Sequence, residues 1–147
     1  MVIHFYTLTA PKETFMSTTY DIDLIFKTCP MCESRWKSMD SFLADPFIVF
    51  NGYQANFGML NEGIFFFTHE TEECGSTMGI KVRIFASLFT GKKYTGSKAL
   101  SNDCPGYCLD LKNLDRCSAQ CENAFAREIS QLIKDRQTAD KRIRTTI

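Results

Sequence analysis

Seven cysteines, at positions 29, 32, 74, 104, 108, 117 and 121, constrain this chain more than any other feature of its sequence. An odd number cannot pair completely into disulfides within one chain, so at least one thiol is free or serves another purpose. Six of the seven fall in close pairs: Cys29-x-x-Cys32, Cys104-x3-Cys108 and Cys117-x3-Cys121. In a reducing compartment such pairs are metal ligands or redox groups rather than staples.

A tetrahedral structural zinc site needs four thiolates or imidazoles. Seven cysteines fall one short of two such sites, and His69, five residues before Cys74, supplies an eighth ligand. The only other histidine, His4, stands near the N-terminus, far from the cysteines. The expectation is therefore two zinc ions. Cys29, Cys32, His69 and Cys74 would hold one, and Cys104, Cys108, Cys117 and Cys121 the other. Short loops close at little entropic cost, which favours this local pairing. An interleaved arrangement, joining Cys29 and Cys32 to Cys117 and Cys121, leaves His69, Cys74, Cys104 and Cys108 for the second ion. Four thiolates also suit iron, so an iron–sulfur cluster in the second quartet is the alternative cofactor.

The remaining composition describes one domain with a proper core. The chain has 147 residues, of which 44% are hydrophobic and 23% charged, enough apolar surface to fold around a single centre. Seventeen basic residues balance seventeen acidic ones, which disfavours nucleic acid as a partner. No run reaches the roughly 18 apolar residues of a membrane helix. Val2 to Tyr6 is apolar without a preceding basic residue, so no secretory signal is expected and the cytoplasm is the expected location.

Residues 1–16 read as an N-terminal extension, residues 17–137 as a single zinc-binding domain, and residues 138–147 as a polar tail. Within the domain, Asp21 to Phe26 reads as a strand leading into a tight turn at Cys29-Pro30-Met31-Cys32. Trp36, Met39 and Phe42-Leu43 lie at helical spacing, and Asp45-Pro46 ends that helix. Asn51-Gly52 signals a turn after the apolar run Phe47 to Phe50, and Ile64 to His69 is the best strand in the chain. Met78 to Val82 reads as a further strand, and Val82, Phe85, Leu88 and Phe89 recur at helical spacing. A last helix is expected from near Ser118, with Cys121, Phe125, Ile129, Leu132 and Ile133 on one face. It would present Cys117 and Cys121 together at its positive end. The fold class is α+β: a small antiparallel sheet around a central hairpin, flanking helices and a long C-terminal helix, stapled by metal.

Cys29-Pro30-Met31-Cys32 resembles the turn of zinc-knuckle proteins, and the pattern as a whole looks like that of a small Cys-rich bacterial family. The segment Leu24 to Cys32 followed by a helix also resembles the active-site entry of glutaredoxins, which implies thiol–disulfide exchange. That resemblance stops there, because the required cis-proline strand has no counterpart. His69-Glu70-Thr71 departs from the His-x-Glu of zinc deaminases, since Thr stands in place of the catalytic Glu. Twin Cys-x3-Cys pairs are similar to those of small intermembrane-space chaperones, whose helical hairpins Cys104-Pro105-Gly106 would break. The expected role is thus binding, in regulation or toward a protein or small-molecule partner, rather than catalysis. Thiol redox chemistry at Cys29 and Cys32 is the alternative.

Overall fold

A computed structural model describes residues 24–145. The extension 1–16 and the first half of the strand expected over Asp21 to Phe26 lie outside those residues, and Leu24 to Phe26 is not strand.

The first paired backbone is a two-residue hairpin, β1 (Lys27–Thr28) against β2 (Arg35–Trp36), with the Cys29-Pro30-Met31-Cys32 turn at its tip. Trp36 therefore belongs to a strand rather than to the helix that follows. That helix, α1 (Met39–Ala44), starts at Ser38, whose side chain accepts from the Ser41 backbone N–H while Ser41 Oγ accepts from the Ser38 N–H. This reciprocal cap satisfies two donors that a helix start otherwise leaves open. It stops before Asp45-Pro46, as the proline requires.

The main sheet is a three-stranded antiparallel meander of β3 (Ile48–Gln54), β4 (Ile64–His69) and β5 (Thr77–Lys81). Asn51-Gly52 does not turn the chain. β3 runs straight through it, with a register irregularity between Phe50 and Gly52. The reason is tertiary: a Cβ on Gly52 would stand 2.6 Å from Leu111 Cδ2, and Tyr53 N–H donates to the Leu111 carbonyl at 2.8 Å. The glycine admits a distant loop instead of making a corner.

Alternation along β4 turns Phe65, Phe67 and His69 inward and leaves Ile64, Phe66 and Thr68 half-buried on the opposite face. The inner face packs on Phe42 and Leu43 of α1, on Val82 and Phe85 of the 3-10 helix Val82–Leu88, and on Phe125, Ile129 and Ile133. Those last three residues belong to α2 (Ala124–Thr145). Of the seven aromatics from Phe47 to Phe67, Phe50, Tyr53, Phe65 and Phe67 are core, while Phe47 and Phe57 are exposed.

The C-terminal helix begins at Ala124, six residues later than the spacing suggests, and continues through Thr145 where a tail was expected. Ser118 to Asn123 are held in a loop instead: Glu122 N–H donates to the Gly96 carbonyl, and Asn123 is buried against Tyr53. Cys117 and Cys121 consequently precede the helix and are not on its face.

Tyr53 gives a readable signature of this core. Its hydroxyl donates to Asn123 Oδ1 at 2.9 Å, and burial of the ring pushes the phenol well above its ordinary value. A phenol harder to ionise when folded stabilises the protein fully below its unfolded pKa of about 10; above that pH the unfolded chain deprotonates first and stability falls. Spectrophotometric titration is therefore expected to show Tyr53 ionising only as the protein unfolds in alkali. A Tyr53→Phe variant whose alkaline titration and unfolding match wild type would contradict this.

Candidate metal centre

Three separate stretches of backbone converge at one end of the sheet. The turn of the β1–β2 hairpin contributes Cys29 and Cys32. Cys29 N–H donates to the Ser34 carbonyl and Glu33 N–H returns to the Cys29 carbonyl, which closes the turn around both sulfurs. Glu33 takes the left-handed conformation, with φ of 63°, a position that suits glycine and costs other residues roughly 1 kcal/mol or more. His69 is the last residue of β4 and points inward because it is in phase with Phe65 and Phe67. Cys74 sits in the β4–β5 connection, fixed by paired backbone bonds with Thr71 and by the His69 N–H donating to Ser76.

The ligand atoms of Cys29, Cys32, His69 and Cys74 all lie within 4.8 Å of one another. Cys29 Sγ and Cys74 Sγ are 3.7 Å apart, and Cys32 Sγ is 3.4 Å from His69 Nδ1. Tetrahedral zinc with bonds of about 2.3 Å to sulfur and 2.0–2.1 Å to nitrogen places two sulfurs about 3.8 Å apart and a sulfur and a nitrogen about 3.5 Å apart. The arrangement fits a metal ion of that size and geometry. Three of the residues are buried, and Cys32 is the outermost. The Trp36 ring packs edge-on against the His69 ring at 5.1 Å and covers that side.

Electrostatics within the cluster separate its thiols. The Ser34 hydroxyl and backbone N–H beside Cys32 hold its thiol down to about 6, against the burial that opposes this. Cys74 goes the other way: the Ser76 backbone lowers it, but burial and the neighbouring Cys29 and Cys32 sulfurs raise it on balance. Three thiolates so close together repel one another, and a metal ion bound among them would take the place of their protons.

Of the two expected quartets, the structure brings this one to ligand spacing. Cys104, Cys108, Cys117 and Cys121 do not close to within 4.8 Å as a set. They instead line a single cavity of about 120 Å³ beside the start of α2. The interleaved pairing is not observed, because Cys29 and Cys32 face His69 and Cys74. Two further residues stand at the second quartet to which the cysteine spacing does not point. Asn123 donates from Nδ2 to Cys108 Sγ at 3.2 Å, and Arg127 lines the same cavity while only 1% exposed. A signal for them did exist: Asn123, Arg127 and Ser130 recur at helical spacing, a polar stripe beside the apolar one, and all three are buried.

Fold and site together define an α+β protein, with small antiparallel sheets and a long C-terminal helix, carrying a Cys3His cluster that can hold a metal ion. Among the described residues no helix is long and apolar enough to cross a membrane. Compared with protein-family models, curated proteins and solved structures, the chain matches none.

Proposed function

We propose that this chain is a zinc-stapled binding module, acting through recognition rather than catalysis, with the ion held by Cys29, Cys32, His69 and Cys74. The carrying observation is the 3.7 Å separation of the Cys29 and Cys74 sulfurs, 45 residues apart in the chain, a tetrahedral edge of the right length. Four protein ligands fill the coordination shell, so such an ion has no open position from which to activate water or polarise a substrate. Its work is structural. It ties a hairpin of two-residue strands, too short to persist alone, to the sheet. Exposed Met31 at the tip of the turn and exposed Phe47 at the entry to β3 offer apolar contact points on that same end to a protein or small-molecule partner.

Metal analysis of His69→Ala tests the assignment. With three thiolates left, the site is expected to lose its ion or bind it far more weakly, and the chain's zinc content falls by one. An unchanged zinc content, with wild-type resistance to a competing chelator, would make His69 a bystander. The alternative, thiol redox chemistry, has one observation in its favour, the lowered pKa and outer position of Cys32. Cys29, its necessary partner, is fully buried, which keeps a substrate disulfide away from it. A Cys29–Cys32 disulfide formed reversibly under mild oxidant, with metal present, would favour the redox reading.

A further inference from the structure

Arg127 is a buried cation without an anion. It is 1% exposed and forms no ion pair among the described residues. Its Nε and Nη2 donate to the Asp115 carbonyl at 3.1 and 2.6 Å, and Nη2 also reaches Asn113 Oδ1 at 3.2 Å. The guanidinium lies against the Tyr53 and Tyr107 rings, 5.8 and 5.6 Å from their centroids. Nη1 is buried with no hydrogen-bond partner at all. Neutral carbonyls and ring faces soften the burial of a full charge but do not balance it, and a buried charge is ordinarily paired.

Arg127 shares a cavity with four thiols, the groups there that can become its anion. Cys104, Cys108, Cys117 and Cys121 all line it, and two of their sulfurs already accept N–H donors: Cys108 from Asn123 Nδ2 at 3.2 Å, Cys121 from the Lys98 backbone at 3.4 Å. N–H···S contacts of this kind orient and tune thiolate ligands. Asn123 is in turn fixed by Tyr53, so Cys108 is tied to the main sheet.

We propose that this cavity is a second metal centre, a tetrathiolate of Cys104, Cys108, Cys117 and Cys121 whose sulfurs, wider apart here than the shell of a single ion, surround the space a cluster would fill or close on one ion as it binds, with Arg127 as its built-in counter-charge. The charge arithmetic is the same for a zinc ion and for an iron–sulfur cluster. One divalent zinc with four thiolates carries two net negative charges, and so does an oxidised iron–sulfur core with four thiolates. Arg127 offsets one of them from inside the protein. The inference does not rest on the Cys3His assignment, since it uses none of those residues.

The test uses the full chain, purified without air from cells supplied with both metals. Zinc, iron and acid-labile sulfide are measured per chain, with native mass spectrometry to count bound metal. The expected result is one centre beyond the Cys3His ion: a second zinc identifies a single ion, whereas iron with equal sulfide identifies a cluster. Arg127→Met is expected to weaken retention of that second centre against a competing chelator by about tenfold to a hundredfold, as second-layer changes at metal sites do. The Cys3His ion should stay in place, and Arg127→Lys should recover most of the loss, which a purely packing role would not produce. Should Arg127→Met fail to fold, protection of the four thiols from alkylation in the wild-type protein, lost in Cys108→Ser, decides the question instead. Disulfides within the quartet, no metal beyond the Cys3His ion, or equal retention in wild type and Arg127→Met would overturn the proposal. Metal in the quartet with none on Cys29 would instead overturn the Cys3His reading alone.

Discussion

Stripping the metal from the Cys29, Cys32, His69 and Cys74 set is expected to lower the thermal midpoint by roughly 10–20 °C. A site of three thiols and an imidazole is not preformed in the unfolded chain, so most of its binding free energy is folding free energy. Retaining even about 5 kcal/mol of that, at about 2–4 °C per kcal/mol for a chain of this size, gives the stated shift. The parts with least support of their own should go first: the β1–β2 hairpin, and the connection carrying Cys74. Trp36 reports on this directly, because it is the chain's one tryptophan and packs against both His69 and Phe42 at 5.1 and 5.2 Å. Its near-ultraviolet dichroism and fluorescence should change on chelation and recover when zinc is returned. A chelated protein with the same midpoint and an unaltered Trp36 signal would remove the structural role from this site.

Phe67→Ala is expected to destabilise the protein by about 3–5 kcal/mol, a large share of the total stability of an ordinary domain. Phe67 is fully buried, and its ring meets Phe42 at 5.0 Å, Phe50 at 5.1 Å and Phe85 at 5.6 Å. The ring therefore joins α1, β3 and the Val82–Leu88 helix at a single point. Its removal leaves a cavity and breaks all three ring pairs. Phe66, one residue earlier, is the natural comparison: it faces the other side of the sheet and is only half-buried. Phe66→Ala should cost clearly less than Phe67→Ala in denaturant unfolding. Equal losses would mean that the alternation along β4 does not separate the two faces as described.

Both experiments depend on features with different visibility in the sequence. The Cys29-Pro30-Met31-Cys32 turn and the Ile64 to His69 strand were legible because each is a local event. Two sulfurs three residues apart across a proline need no distant partner to point the same way, and a run of aromatics between turn residues has few other uses. The end of α1 followed from Asp45-Pro46 for the same reason, whereas its start did not, since Trp36 lies at helical spacing yet belongs to β2. His69 and Cys74 came from ligand arithmetic rather than pattern, yet the inward phase of His69 with Phe65 and Phe67 was present in the strand itself.

The sequence by itself therefore determined the α+β class, the best strand, the first helix and the membership of the Cys3His cluster. Tertiary structure decided the rest, wherever a local preference met a distant neighbour. Asn51-Gly52 carries a turn signal, but Leu111 packs over Gly52 and the strand continues. Cys117 and Cys121 have helical spacing, but the bond of Glu122 to Gly96 and the burial of Asn123 hold that segment as a loop until Ala124. Arg127 shares a polar stripe at helical spacing with Asn123 and Ser130, but only the packing of Tyr53, Tyr107 and the Asp115 carbonyl around it shows that it is a buried cation. Propensity acts over a few residues with energies of a fraction of a kcal/mol, whereas burial of a side chain is worth several times more. Where the two disagree, burial prevails, and its partners are far away in the chain.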